Sequence, residues 1–286
     1  MVKLPKNGGA SMDKAAEIIH GAKTCLFLTS AGMSAESGIP TFRDKEGYWR
    51  NFPAYRHLNL EAVDLANPRS FKVRPAHAWA FYEWRRRNAR ENRPHEGYAV
   101  INALIENHFR SSFIHTTNTD GYHMISGTSA DHVYEIHGSI WRLQCMAGLG
   151  CSYTYEENDD VPLCELNSES MTASKLPICP KCGGLLRPNV LMFGDFDYVE
   201  HAYQYNNFRD FMDRSGVPDV ALLIGSSGSI PTNDYLAVRL QASGCKIITV
   251  NPDESSLRVC RPDVFIQTGA KAALTEIADS LGIKYN

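Results

Sequence analysis

The chain has 286 residues, 43% of them hydrophobic, which is enough for one large domain or for a domain carrying inserted modules around an ordinary core. Its formal net charge of -3 provides no broad basic surface, so direct nucleic-acid binding is not expected. No stretch approaches the roughly 18 apolar residues that cross a bilayer, and the opening residues lack a signal peptide's apolar region, so an intracellular and by default cytoplasmic protein is expected.

Short apolar, β-rich runs at 24–28, 112–116, 220–224 and 246–250 alternate with helical patterns at 12–20, 75–90 and 98–107. Such runs suit parallel strands covered on both faces, and the alternation predicts an α/β, doubly wound, mostly parallel Rossmann-like sheet. Two stretches interrupt it. Residues 44–105 are mainly helical and rich in Arg and aromatics, whereas 141–186 are polar and hold five of the eight cysteines. The predicted organisation is a nucleotide-binding domain of 1–43, 106–140 and 187–286, with an inserted helical module at 44–105 and a small zinc-binding module at 141–186. There is no internal repeat and no low-complexity segment.

The first run leads into Ser30-Ala31-Gly32-Met33-Ser34-Ala35-Glu36-Ser37-Gly38-Ile39-Pro40-Thr41-Phe42-Arg43. Small side chains after a strand let the backbone approach a pyrophosphate. The spacing is not G-x-G-x-x-G, and Asn51 stands where an acidic ribose ligand is expected, so spacing alone leaves a plain tight turn open. Farther on, Cys179-Pro180-Lys181-Cys182 is half of a zinc site, because two thiolates at this spacing in a tight turn reach one tetrahedral ion. Cys25, Cys245 and Cys260 lie in or beside apolar runs and read as buried small hydrophobes. In the helical module, Tyr82 and Arg85 are spaced i, i+3 and share a helix face, where a phenol and a guanidinium together suit a carboxylate. Arg85 to Arg87 taken alone also read as a solvated helix face.

The whole loop run resembles the sirtuin signature, in which a Gly-Ala-Gly-x-Ser loop leads into Glu-Ser-Gly-Ile-Pro-x-Phe-Arg. Thr117-Asn118-Thr119-Asp120-Gly121-Tyr122-His123 resembles the family's Gln-Asn-Ile-Asp-Gly-Leu-His, and His137-Gly138 falls at its catalytic His-Gly. Arg187-Pro188-Asn189-Val190-Leu191-Met192-Phe193-Gly194-Asp195 resembles its substrate-binding strand, while Gly225-Ser226-Ser227 and Val250-Asn251-Pro252-Asp253 match its late nucleotide contacts. The resemblance runs in order over residues 12–280.

It implies an NAD-dependent protein-lysine deacylase that releases nicotinamide and O-acyl-ADP-ribose. NAD+ is then the co-substrate, contacted by Ser30, Ala31, Gly32, Ala35, Phe42, Arg43, Thr117, Asn118, Thr119, Asp120, Gly225, Ser226, Ser227, Asn251 and Asp253. Asp120 is expected to accept the carboxamide N–H, Asn118 to order the ribose or a water, and His137 to act as general base toward the ribose hydroxyls. Partners are acyl-lysine proteins or peptides, met by Val190, Phe193 and Gly194. A structural Zn2+ is expected on Cys145, Cys151, Cys179 and Cys182. Cys145 falls at the family's first ligand, but C-x5-C replaces the usual C-x2-C, and Cys164 is a spare candidate for the second position.

Tyr82-x-x-Arg85, together with the small Ala54, resembles the desuccinylase and demalonylase branch and implies a preference for acidic acyl groups. Thr117, Thr119, Met192 and the polar Gly228-Ser229-Ile230-Pro231 depart from the family pattern. Two other functions share the same pocket: mono-ADP-ribosyl transfer or NAD hydrolysis, and an inactive NAD-sensing module.

Overall fold

A computed structural model describes residues 8–41, 53–147, 150–155 and 162–285. In chain order the strands are β1 (Thr24–Thr29), β2 (Ser111–Thr116), β3 (Val133–Glu135), β4 (Gly138–Cys145), β5 (Thr154–Tyr155), β6 (Glu165–Asn167), β7 (Thr172–Ser174), β8 (Leu186–Val190), β9 (Val220–Ile224), β10 (Lys246–Val250) and β11 (Val264–Ile266). The four predicted apolar runs are β1, β2, β9 and β10. β3 and β11, at three residues each, are too short to announce themselves as periodic patterns.

Six strands form a parallel sheet in the order β11-β10-β9-β1-β2-β3. Counted within this sheet alone, the order is the doubly wound 3-2-1-4-5-6, whose direction reverses between β1 and β9. Alternate residues feed two cores on opposite faces: Cys25, Phe27 and Leu222 pack into one, Leu26, Leu28 and Leu223 into the other. Burial on both faces is why these strands read as unbroken apolar runs. Cys25, Cys245 and Cys260 are buried, at 0%, 2% and 1% exposure.

The predicted helices are present as Gly8–Gly21, Pro75–Glu91 and Glu96–Asn107. Pro75 opens its helix at the first turn, where its missing N–H costs nothing. That helix is buried on more than an apolar stripe. Trp79 Nε1 donates to the Leu186 carbonyl at 2.9 Å, tying the helix to β8. Arg86 is fully buried, donates to the Ile140 carbonyl at 2.6 Å and lies 3.4 Å from Glu83, which is also fully buried. For Arg86 the solvated-face reading is therefore corrected: the sequence shows three consecutive arginines, but the helix turns the middle one into the protein.

β4 pairs antiparallel with β8 and with β5, and β6 pairs with β7. A register shift between Ser139 and Leu143 interrupts the β4–β8 ladder. Among the described residues, no helix is long and apolar enough to cross a membrane.

The ends of β1 and β9 meet backbone to backbone. Gly32 N donates to Gly225 O at 2.9 Å, and a Cβ on Gly32 would stand 2.6 Å from Gly225 Cα. Gly225 has φ +72°, and a Cβ there would fall 2.4 Å from Met33 N. Backbone cannot swing aside as a side chain does, so either Gly32→Ala or Gly225→Ala forces the two strand ends apart. Each is expected to cost on the order of 2 kcal/mol or more, read as a lower midpoint in thermal or urea unfolding, whereas Gly9→Ala, which meets nothing within 4 Å, should leave the midpoint in place.

Candidate active site

The loops that follow β1 and β2 converge with the end of β3 and the strand β8 on a cavity of about 680 Å³. Ala31, Ser34, Thr117, Asn118, Thr119, Asp120 and His137 line it. Tyr82, Arg85, Val190, Phe193 and Gly194 line it as well. Residues from the nucleotide loop, the helical module and the β8 segment thus share one space. Phe42 and Arg43 lie outside the described residues. Ala54 is not part of the cavity wall; it is partly buried against the main core.

Ser34 is the centre of the polar part of the cavity lining. It is 1% exposed and donates to Asp120 Oδ2 at 2.6 Å, while Asn118 Nδ2 donates to Ser34 Oγ at 2.9 Å. The Tyr98 hydroxyl, from the Glu96–Asn107 helix, lies 2.9 Å from the same oxygen. A hydroxyl has one hydrogen and two lone pairs, so with its hydrogen on Asp120 it accepts from both neighbours. The other Asp120 oxygen accepts the Tyr122 N–H at 3.0 Å. Burial pushes the Asp120 carboxyl up, opposed by the Ser34 and Tyr122 hydrogen bonds and then by the Arg85 charge. Asn118 Nδ2 also donates to the Ser30 carbonyl at 3.1 Å, which locks the β1 and β2 loops together.

Asn233 carries a second brace. Fully buried on the Thr232–Ala242 helix, it donates to Thr29 O at 2.8 Å and to Ser30 Oγ at 3.3 Å and pairs its oxygen with His115 Nδ1 at 2.7 Å. Ser34 was visible inside the loop run. Tyr98 and Asn233 carried no sequence signal, because each acts across the fold on residues distant in the chain.

His137 sits between β3 and β4, with its Nε2 3.5 Å from Thr232 Oγ1. Burial lowers its pKa, with a hydrogen bond to the Thr117 backbone acting in the opposite direction. A neutral imidazole facing the cavity is a proton acceptor at neutral pH. Gly138 follows at φ +74°, and a Cβ there would overlap the Asn189 carbonyl oxygen at 2.0 Å, so the close β4–β8 approach requires glycine.

The remaining expected nucleotide residues do not line this cavity. Gly225, Ser226 and Ser227 follow β9, and Asn251 and Asp253 follow β10, at the C-terminal ends of the central strands. Their side chains largely build the loops. Ser226 Oγ donates to Asp234 at 2.6 Å and accepts from Gly228 N. Asn251 is fully buried, and its Nδ2 donates to Ser226 O at 2.6 Å while its oxygen accepts from Asp253 N. Asp253 accepts from Ser255 N. Ser30 accepts from Thr117 at 3.1 Å, while Ala31 and Ala35 expose their methyl groups.

In the β8 segment, Arg187 Nη2 lies 2.9 and 2.7 Å from the two oxygens of Asp195, with both side chains almost fully buried. Asp195 also accepts the Asp197 N–H, and Phe193 N donates to Ala66 O at 3.0 Å. The turn holding Phe193 and Gly194 is thereby fixed to β8 on one side and to the helical module on the other. Tyr82 is fully buried, and its hydroxyl has no hydrogen-bond partner among the described residues. Arg85 donates to Thr119 Oγ1 at 3.0 Å, and its guanidinium carbon lies 5.3 Å from the Tyr82 ring centre.

The sulfurs of Cys145, Cys151, Cys179 and Cys182 all lie within 4.8 Å of one another. The pairs Cys145–Cys182 and Cys151–Cys179 are 3.4 and 3.8 Å apart. Zn–S bonds of about 2.3 Å in a tetrahedron put sulfurs roughly 3.8 Å apart, so the donor set fits zinc. Cys164 stands outside this group. It is buried near Glu83, and burial raises its thiol to about 12.

The Sir2 family profile matches residues 30–232. An NAD-dependent protein deacylase of Aquifex aeolicus is 33% identical over 261 residues, covering 90% of this chain and 95% of the relative. One of Candida albicans is 30% identical, covering 83% and 86%. The crystal structure of a Sir2 homolog–NAD complex superposes with a TM-score of 0.75 at 27% identity, covering 94% of this chain and 93% of that one. A mutant Sir2 homologue in complex with 2'-O-acetyl ADP ribose superposes at 0.74 and 27%, covering 96% and 99%. The doubly wound sheet, the shared cavity and a profile match spanning most of the chain lead to one conclusion: this chain belongs to the Sir2 family.

Proposed function

We propose that the protein is an NAD-dependent protein-lysine deacylase that prefers acidic acyl groups, with Zn2+ held by Cys145, Cys151, Cys179 and Cys182. The observation that carries the reading is the meeting of His137, Asn118 and Asp120 with Tyr82, Arg85 and Phe193 around one cavity. A poor nucleophile such as an amide oxygen reacts only when held close and aligned, and a cavity with a polar end and an apolar wall grips both reactants. The close backbone contact of Gly32 and Gly225 draws the ends of β1 and β9 together, and small residues at such strand ends suit a pyrophosphate. NAD+ would supply the ribose carbon, whose bond to nicotinamide breaks as the acyl oxygen is joined to it and nicotinamide leaves. Asp120 accepts the carboxamide N–H, Asn118 and Ser34 hold the ribose side, and His137 takes a proton through the ribose hydroxyls. The four thiolates leave a bound zinc no open position, so its role is to pin the β4–β8 segment beside the acyl-lysine groove.

ADP-ribosyl transfer or NAD hydrolysis would use the polar end alone, and an NAD sensor would not need His137. The panel test is to incubate protein, NAD+ and acyl-lysine peptides and follow nicotinamide and peptide mass together. Deacylation gives both changes, hydrolysis only the first, and a sensor neither. His137→Ala is expected to reduce acyl transfer by roughly 10²- to 10⁴-fold while NAD+ still binds in calorimetry. Because His137 must be neutral and burial lowers its pKa, the acid limb of kcat/KM should fall below the ordinary imidazole value of about 6.5, with activity lost as pH drops through it.

Metal analysis should find near one zinc per chain, and Cys151→Ser should lose it together with cooperative unfolding of the chain, whereas Cys164→Ser should retain it.

Arg85→Met should lower kcat/KM for succinyl- or malonyl-lysine by roughly ten- to a hundred-fold relative to acetyl-lysine, since a hydrogen bond to a charged group is worth about 1.5–3 kcal/mol. Equal loss on all acyl substrates, or a wild-type preference for acetyl-lysine, would remove the acidic-acyl part of the reading.

A further inference from the structure

The Thr119 hydroxyl holds Arg85 at the cavity, and its surroundings give it a second task. Thr119 is 8% exposed, its carbonyl accepts the Ile140 N–H at 2.9 Å, and it stands between Asn118 and Asp120 in the loop after β2. Its backbone is thus pinned to β4 while its side chain enters the cavity wall. In the 3.0 Å contact with Arg85 Nη2, the guanidinium can only donate, so the threonine oxygen accepts. The hydroxyl keeps its own hydrogen, and no described residue takes it. The Tyr82 hydroxyl is completely buried beside the Arg85 guanidinium, and no described residue accepts its hydrogen. Two unspent hydroxyl hydrogens and a guanidinium therefore meet at one wall.

A buried hydroxyl left without an acceptor costs about 1–3 kcal/mol unless a ligand supplies one. A methyl group in this place supplies none and an amide a single carbonyl oxygen, whereas a carboxylate offers two oxygens with several lone pairs at once. The Arg85 side chain has four rotatable carbon–carbon and carbon–nitrogen torsions, and ordering such a chain costs up to about 2 kcal/mol. A fixed acceptor at Thr119 offsets that ordering before a substrate arrives. The rings of Phe81 and Tyr82, 5.6 and 5.3 Å from the guanidinium carbon, restrict its other side.

We propose that Thr119 is a specificity-determining residue of the acyl pocket: it positions Arg85 and adds the third hydrogen-bond donor, beside Tyr82 and Arg85, to a receptor for the distal carboxylate of an acyl chain. This rests on the acidic-acyl reading of the same site. It adds that the carboxylate is received at the loop carrying Asp120, so the acyl end and the carboxamide acceptor share one structural element.

The test is a double-mutant cycle on the full chain with Thr119→Val, Arg85→Met and the double variant, using succinyl- and acetyl-lysine versions of one peptide at saturating NAD+. Valine keeps the shape and removes only the hydroxyl. Thr119→Val should lower the succinyl-to-acetyl ratio of kcat/KM about ten-fold, mainly through KM, and add less than about two-fold in the Arg85→Met background. Thr119→Ser, which keeps the hydroxyl, should restore most of the ratio. Direct titration of the succinyl peptide without NAD+ should show the same ranking of affinities, a readout independent of turnover, and melting curves identify any variant that fails to fold.

If Arg85→Met discriminates between the two peptides but Thr119→Val lowers both alike, or if serine fails to rescue the ratio, the role of Thr119 is overturned while the acidic-acyl reading stands. If Arg85→Met itself does not discriminate, both fall.

Discussion

The close approach of Gly32 and Gly225 is the constraint on which the rest of the site depends. Two parallel strands of a doubly wound sheet are neighbours at β1 and β9, yet their following loops run to opposite sides. The crevice left between them is open only if nothing fills it from within. A hydrogen bond from Gly32 N to Gly225 O closes the backbone and leaves no room for a Cβ on either residue. This sets where Ser30 and Ser34 stand, and through them Asn118 and Asp120.

Beneath that crevice the polar groups form one connected set. Ser34 has three partners and Asn233 bridges β1 and β2, so each group is satisfied only while its neighbours keep their places. In a low-dielectric interior a connected network is rigid, because an orphaned member costs more than an exposed one. His115 and His123 belong to this layer, and burial lowers them to about 4 and about 3, so they are neutral structural groups. His137 differs by its place. It opens onto the cavity, which suits it to exchange a proton with something bound there.

The cavity lining around Tyr82 and Phe193 is held by charge buried in pairs. Arg187 with Asp195 fixes the turn of Phe193 and Gly194, and Arg86 with Glu83 turns the long helix inward so that Tyr82 and Arg85 reach the cavity. A buried pair is costly to break because the surviving partner is left as an uncompensated charge, so these loops have little freedom to drift. The four-cysteine cluster acts at the far end of the same β4–β8 ladder, with Cys145 closing β4 and Cys179 and Cys182 preceding β8. Two different chemistries thus anchor the two ends of one short antiparallel sheet.

The sequence by itself determined the sheet and its loops. Strands buried on both faces must be apolar throughout, so β1, β2, β9 and β10 were visible as runs, and the ordered motifs after them carried the family resemblance. The long helices were visible from their period, and Cys179 and Cys182 from their spacing. Only the tertiary structure decided which residues meet. The choice of Cys151 over Cys164 for the cluster depends on where a turn brings a sulfur, which spacing does not encode. Ala54, expected at the acyl pocket from motif register, is partly buried against the core, and Ser226 and Asn251 spend their side chains on loop contacts. Tyr98, Asn233 and the Thr119 contact of Arg85 were silent in the chain, because a hydrogen bond between residues distant in sequence leaves no periodicity to read.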